Sequence, residues 1–259
     1  MTISKRRKAI KLETTGKKPG PLPTIYDDAA VIRQVATKLA EEGKDVVLVG
    51  HSYGGVPATE AIKGISKAER EKEGKKGGVV RVAYMTCLVP AVGENAGDVL
   101  AAAQPADEEP KQLLAPDAVW IIHSPFHSII RILINALQDG WLYHVDQAYI
   151  ASICFNDLPP EQGLEWVKKF VQHSSASFGN PLTYPGYNDV PVSYFFCEND
   201  KCVTPEVQQR GIDIIEKASG NKVDVKRVNS DHIPPVGHEE ETVEWYVELA
   251  EKSAWETGK

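Results

Sequence analysis

The sequence predicts an α/β fold, a mostly parallel sheet flanked by helices. Short, continuous apolar runs rich in β-branched residues recur along the chain, as in strands buried on both faces of a parallel sheet. Segments with apolar residues at helical spacing separate these runs, and such alternation is typical of the α/β class. The 259 residues, 42% of them hydrophobic and 25% charged, are enough for one large domain of this kind.

The predicted elements alternate along the chain. A helix is predicted over 24–43, because apolar residues repeat at i, i+3, i+4 and i+7 from Ile32 to Leu39 and because Thr24 and Asp27 resemble a capping box. Strands are predicted at 45–50, 79–89, 191–197 and 222–229, and further helices at 56–65, 204–219 and 238–256.

Two regions depart from this alternation. Residues 90–185 contain Pro-rich stretches and helical segments such as 128–141 and 164–174 but no clear strand, so we expect a helical cap insertion. Residues 1–20 carry seven Lys/Arg and one Glu, which favours a disordered basic tail over a targeting signal or a nucleic-acid arm. The domain is then expected over 21–259.

Charge and cysteine content limit the partners and the compartment. Outside the tail, 22 basic and 35 acidic residues give a net charge of −13, which argues against nucleic acid as a partner. No apolar run approaches the ~20 residues of a membrane span, and no signal-peptide core is present, so we expect reduced thiols and a cytoplasmic location. Cys197 and Cys202 are spaced too widely for a C-x-x-C pair, and we expect neither a metal nor an organic cofactor.

The segment Gly50-His51-Ser52-Tyr53-Gly54 matches the pattern G-x-S-x-G between a predicted buried strand and a helix. This is the setting of a nucleophile elbow, a turn so tight that the flanking positions need glycine. It would hold the Ser52 hydroxyl at the carboxyl end of the sheet. The alternative is a Gly-rich turn that only packs.

A serine nucleophile needs a base, which the elbow architecture places after the last strand. His232 follows that strand by three residues and lies on the loop that would overhang Ser52. His238 is interpreted instead as the first residue of the closing helix. The remaining histidines precede the third strand and are interpreted as structural or cap residues: His51, His123, His127, His144 and His173.

The acid that orients the base should follow the third strand. Asp200 lies in the turn after that strand and is the predicted acid. Glu198 is closer to the strand and is expected to turn outward. Asp231 adjoins His232, and neighbouring side chains rarely orient each other correctly. The predicted triad is Ser52, Asp200 and His232.

These motifs resemble the α/β-hydrolase superfamily. The segments YDDAAVIRQVATKLAEEGKDVVLVGHSYGG, FNDL and VPVSYFFCENDKCVTPEVQQ are similar to the small single-domain hydrolases of fungi, which resemble the plant methylesterase and hydroxynitrile lyase group. The resemblance extends over about residues 21–256. It implies the α/β-hydrolase fold, the triad roles and the absence of a metal or organic cofactor.

One part of the expected machinery is missing. The backbone N–H of Tyr53 would be one oxyanion donor, but the second normally comes from a loop after an earlier strand. Before Asp45 the sequence predicts only a helix and the tail, and 9–15 is a poor match to a strand. We therefore expect a fold without its N-terminal strands, shorter by ~40 to 70 residues. The 45–50 strand would then be an edge through which the chain associates with itself.

The sequence-based hypothesis is a serine hydrolase that acts on small esters, amides or thioesters. The expected partners are a small-molecule substrate and a second copy of the chain in a homodimer. Phe126, Trp141 and Tyr143 indicate an apolar or aromatic substrate, or else ordinary cap core. The alternatives are a ligand-binding homologue with little or no turnover and a lyase that uses the same triad.

Overall fold

A computed structural model describes residues 8–102, 136–144 and 146–256. Its strands are β1 (Asp45–His51), β2 (Gly78–Met85), β3 (Ala136–Gln138), β4 (Trp141–Tyr143), β5 (His173–Ser174), β6 (Val192–Cys197) and β7 (Asp224–Val228). Its helices are α1 (Ile25–Glu41), α2 (Gly55–Ala61), α3 (Lys67–Lys72), α4 (Ala96–Ala101), α5 (Gln147–Cys154), α6 (Pro160–Val167), α7 (Ala176–Gly179), α8 (Pro205–Ser219), α9 (Pro234–Gly237) and α10 (Glu239–Glu256).

The main sheet has four parallel strands in the order β1-β2-β6-β7. All four lie where the sequence predicts strands, and the predicted α/β class is confirmed. The prediction of a strand up to residue 89 is too long, because Thr86 has a φ of 47° and turns the chain after Met85. All residues of β2 and β6 are buried, which explains why these strands are mostly apolar. Their buried polar residues Arg81 and Ser193 hydrogen-bond to each other.

Helices cover both faces of this sheet. Alternate residues of β2 join different clusters: Val82 and Tyr84 pack in the large core with α1, α2 and α8, whereas Ala83 and Met85 pack with Trp245 of α10. This division follows from the pleat, which sends successive side chains to opposite faces. The sheet is therefore the middle layer of three.

Helix α1 forms as its sequence predicts. The Thr24 hydroxyl accepts a hydrogen bond from the Asp27 N–H, and the Asp27 carboxylate accepts one from the Thr24 N–H. Its apolar face buries residues such as Ile32 and Ala36 against the core. Among the described residues, no helix is long and apolar enough to cross a membrane.

The insertion differs from the all-helical prediction. Besides helices α4 to α7 it contains a three-stranded antiparallel sheet in the order β3-β4-β5. Asp139 and Gly140, both at positive φ, form a two-residue turn between β3 and β4. The predicted helix over 128–141 is therefore wrong at its C-terminal end, and its residues 128–135 lie outside the described residues. Asp-Gly between apolar runs is a strong hairpin signal that the helical periodicity obscured.

The chain before α1 is packed from well before residue 21. Within the predicted tail, Thr14 is fully buried, and its N–H and hydroxyl both donate to the Asp28 carboxylate. The Ser174 N–H donates to the Thr14 carbonyl, and the Gly16 N–H donates to the Gln172 carbonyl. Residues 1–7 lie outside the described residues.

Strand β1 pairs only with β2 within the described part of the chain, so it is an edge strand, as predicted. We expect the protein to self-associate through this edge and Val49→Lys to return it to a monomer, because a charge on an edge strand opposes strand pairing. Sedimentation velocity measures the effect. Val243→Lys is the matched control, since Val49 and Val243 are both 42% exposed. A monomeric parent protein, or equal dissociation by the control, contradicts the prediction.

Candidate active site

Ser52 lies at a sharp turn between β1 and α2. The strand ends at His51, Ser52 has a φ of 53°, and a 3-10 helix over Ser52–Gly54 leads into α2. A non-glycine residue at positive φ costs about 1 kcal/mol or more and persists where the surrounding structure imposes it. The turn therefore places the Ser52 side chain at the carboxyl end of the sheet.

The glycines that this turn requires differ from those predicted. A Cβ on Gly50 would lie 2.9 Å from the Gly55 backbone, so this position needs glycine, as predicted. A Cβ on Gly54 would meet nothing within 4 Å. The crowded partner is Gly55, where a Cβ would lie 2.7 Å from the Cys87 Cβ. The G-x-S-x-G pattern thus misidentifies the second glycine that close packing demands.

The structure brings the three predicted side chains into one hydrogen-bonded chain. Ser52 Oγ lies 2.9 Å from His232 Nε2, and His232 Nδ1 lies 2.8 Å from Asp200 Oδ2. Asp200 and His232 are 2% and 3% exposed, so water does not compete for the bond between them. The three residues come from the loops after β1, β6 and β7. This is the order of serine, acid and histidine along the chain that the elbow architecture predicts.

Both carboxylate oxygens of Asp200 are occupied. Oδ1 accepts the backbone N–H groups of Cys202 at 2.8 Å and Val203 at 2.9 Å, which leaves Oδ2 to His232. Glu198, the rival acid, is exposed and lies near Arg227. The loop after β6 therefore orients one carboxylate inward and the other outward.

His51 holds the backbone of His232. The His232 carbonyl accepts a hydrogen bond from His51 Nε2 at 2.8 Å. The Thr86 hydroxyl lies 3.3 Å from the same carbonyl, but its proton has a nearer acceptor in the Met85 carbonyl at 2.8 Å. The Asp231 carboxylate accepts the N–H of Ile233 and that of Asp157, so it does not orient the imidazole. Sequence reasoning treated His51 as structural and did not single out Thr86. The position of His51 inside the G-x-S-x-G segment was the available signal.

The charges around His232 set its protonation. Burial opposes protonation, but the Asp200 carboxylate outweighs it, so the pKa of His232 lies well above its ordinary value. Burial and the neighbouring His232 lower the pKa of His51 to about 3. His51 is therefore neutral, and its Nε2 carries the proton that it donates to the His232 carbonyl.

Tyr53, whose N–H is the predicted oxyanion donor, is the first residue after Ser52 in the 3-10 helix. Its hydroxyl donates to Asp28 Oδ2 at 3.1 Å, and its ring meets the His173 ring edge-on at 4.5 Å. Asp28 is fully buried, and this burial raises its pKa although Thr14 and Tyr53 bond to it. The side-chain contacts of Tyr53 therefore hold the residue that follows Ser52 in place.

Two of the three aromatic residues that the sequence placed in the cap lie among the described residues. Trp141 is 2% exposed and Tyr143 is half-buried, while Phe126 lies outside the described residues. In the described ranges, no group of three or more His, Cys, Asp or Glu side chains is arranged to hold a metal ion.

Comparison with known proteins identifies the family of the chain. The model of the alpha/beta hydrolase family matches residues 10–247. The chain belongs to the alpha/beta hydrolase family. It is a hydrolase enzyme, and its fold is the α/β-hydrolase fold, as the resemblance in the sequence implied.

Two curated relatives named as hydrolases come from fungi, in line with the predicted likeness to fungal hydrolases. "Probable hydrolase R7" of a Phoma species is 34% identical over 227 residues, which cover 87% of this chain and 79% of the relative. "Alpha/beta hydrolase nvfD" of Aspergillus novofumigatus is 26% identical over 226 residues, which cover 87% and 78%.

Solved structures of other alpha/beta hydrolases share the fold. Polyneuridine aldehyde esterase superposes with a TM-score of 0.55 at 17% identity, over 88% of this chain and 80% of that chain. A pyrethroid hydrolase from Sphingobium faniae superposes with a TM-score of 0.54 at 20% identity, over 88% and 78%.

Proposed function

We propose that this hydrolase cleaves small esters with an apolar or aromatic group through an acyl-enzyme on Ser52. The observation that supports the proposal is the continuous hydrogen-bonded chain from Ser52 Oγ through His232 to Asp200. Serine is a weak nucleophile unless a base accepts its proton and an acid orients that base. The structural neighbours named as an esterase and a pyrethroid hydrolase favour an ester over an amide or thioester.

The proposed reaction has two halves. Ser52 Oγ attacks the ester carbonyl carbon while its proton passes to His232 Nε2, and the Tyr53 N–H stabilises the oxyanion. The C–O bond to the alcohol then breaks, and His232 protonates the leaving alkoxide. In the second half His232 deprotonates water, which attacks the acyl carbon. The carboxylic acid leaves, and Ser52 recovers its proton.

A fluorophosphonate probe tests the nucleophile. We expect it to modify Ser52, located by peptide mass spectrometry, and a p-nitrophenyl ester series to be hydrolysed. If the probe does not label Ser52 and no ester is hydrolysed, the proposal is contradicted. Cyanohydrin cleavage without ester turnover would instead indicate the lyase, and ligand binding without either turnover would indicate the binding homologue.

The rate should rise with pH, because only neutral His232 accepts the Ser52 proton. Since Asp200 raises the pKa of His232, the midpoint of the acid limb of kcat/KM is expected above the ~6.5 of a free imidazole. Protonation below that midpoint removes the base and lowers the rate. Initial rates between about pH 5 and 9 measure the limb. A profile that stays flat from about pH 5 to 8 would show that His232 is not the base.

A further inference from the structure

The carboxylate of Asp157 joins the two loops that carry Asp200 and His232. Asp157 lies in the cap insertion, on the connection between α5 and α6, and its side chain is 17% exposed. It belongs to the FNDL segment, to which the triad assigns no role. The carboxylate contacts neither Ser52 nor His232, so any effect on the chemistry must pass through other residues.

One side of Asp157 holds the loop of the acid. Its Oδ1 accepts a hydrogen bond from Asn199 Nδ2 at 2.6 Å, and Asn199 directly precedes Asp200. The neighbouring Asn156 donates from Nδ2 to the Asn199 carbonyl at 3.2 Å. Both the side chain and the backbone of Asn199 are therefore tied to the same short cap segment.

The other side of Asp157 holds the loop of the histidine. Its Oδ2 accepts the Asp231 N–H at 2.7 Å, and its own N–H donates to Asp231 Oδ2 at 3.1 Å. Asp231 Oδ1 accepts the Ile233 N–H at 3.0 Å, so the residues on both sides of His232 are engaged. His238 Nε2 adds a further contact to Asp157 Oδ2 at 3.1 Å.

We propose that Asp157 is a positioning residue that keeps the two loops at the spacing needed for the bond between His232 Nδ1 and Asp200 Oδ2. The proposal rests on the proposed function of these two residues. The backbone ladder between the loops ends with the Asn199 N–H on the Ser230 carbonyl. Beyond that point, Asp157 bonds to the residue that precedes each catalytic side chain. Hydrogen bonds to an ionised acceptor are stronger than neutral ones, which suits a carboxylate here.

Asp157→Asn tests this role with almost no change in volume. In the variant, the amide nitrogen would face either Asn199 Nδ2 or the Asp231 N–H. One of these two hydrogen bonds would then be replaced by an unfavourable contact between two donors. We expect kcat for a p-nitrophenyl ester to fall roughly 10- to 100-fold while KM changes less than about 3-fold, as for a small misplacement of catalytic groups. The pKa of His232, titrated by NMR without substrate, should fall toward its ordinary value.

Asp146→Asn is the matched control. Asp146 caps the start of α5 by accepting the Tyr149 N–H, and asparagine is an equally good N-cap. It should leave kcat and the His232 titration unchanged. An unchanged kcat and His232 titration in Asp157→Asn would overturn the proposal.

Asn199→Ala decides the matter if Asp157→Asn does not fold. It removes the hydrogen bond between Asn199 and Asp157 but keeps the bonds of Asp157 to Asp231 and of Asn156 to the residue 199 carbonyl. Both kcat and the pKa of His232 should fall, by less than in Asp157→Asn, and no change in either would overturn the proposal. If the parent protein hydrolyses no ester, the proposed function fails, whereas the His232 titrations in parent and variant still test the role of Asp157.

Discussion

Ser52→Ala and His232→Ala should each lower kcat for ester hydrolysis by about five to six orders of magnitude. The two residues act as one unit, because the Ser52 hydroxyl is a weak nucleophile without the base and because His232 has no nucleophile to deprotonate without the hydroxyl. The double variant is therefore expected to be no slower than either single variant. Initial rates with a p-nitrophenyl ester, at enzyme concentrations high enough to detect the residual rate, measure all three.

A buried serine at the other end of the sheet provides the control. Ser253 of α10 is 5% exposed and contacts Arg81 near the start of β2, away from the carboxyl ends of the strands. Ser253→Ala should keep kcat within a few-fold of the parent, since it removes no reacting group. Ester turnover that survives Ser52→Ala would show that another group is the nucleophile.

Asp200→Asn should lower kcat by about four orders of magnitude and leave the protein folded. An amide oxygen can still accept the Cys202 and Val203 N–H groups, so the loop keeps its shape. The amide nitrogen would then face His232 Nδ1 and favour the tautomer with its proton on Nε2. That tautomer cannot accept the Ser52 proton. Rates and a thermal melt on the same preparation separate the loss of activity from unfolding.

Glu198→Gln is the control that tells the two candidate acids apart. Glu198 follows the same strand but is exposed, so its amide should be neutral for kcat. A near-normal rate in Asp200→Asn together with a large loss in Glu198→Gln would show that the acid is Glu198.

Strands β2 and β6 were predictable because they are buried on both faces and are mostly apolar. The outer strands β1 and β7 are only partly buried, and their short runs of β-branched residues predicted them. Ser52, Asp200 and His232 were selected by their position after predicted strands, and the structure places both Ser52 and Asp200 within hydrogen-bond distance of His232. Their catalytic roles remain predictions. The position of a residue after a strand is informative, because the loops that follow parallel strands all lie at the carboxyl end of the sheet.

Other features were missed, one because a local signal was ambiguous and two because they depend on contacts between distant segments. The hairpin at Asp139 and Gly140 lies in an apolar stretch whose periodicity also fits a helix, and short apolar runs do not distinguish the two. The need for Gly55 comes from Cys87, which lies on another strand's loop. Asp157 acquires its partners only when the cap meets the loops after β6 and β7. Local sequence does not encode such encounters.

The buried Asp28 has a consequence for engineering the region before α1. It bonds both to Thr14 and to Tyr53, so the early segment and the elbow share one anchor. Between Thr14 and α1 the chain contains Gly16 and Gly20, both at positive φ with open space around them. Added length in this connector can be absorbed as a longer loop at small entropic cost. A one-residue insertion next to Thr14 would instead shift the anchor, so affinity tags, linkers and circular-permutation points in this region belong between residues 16 and 20.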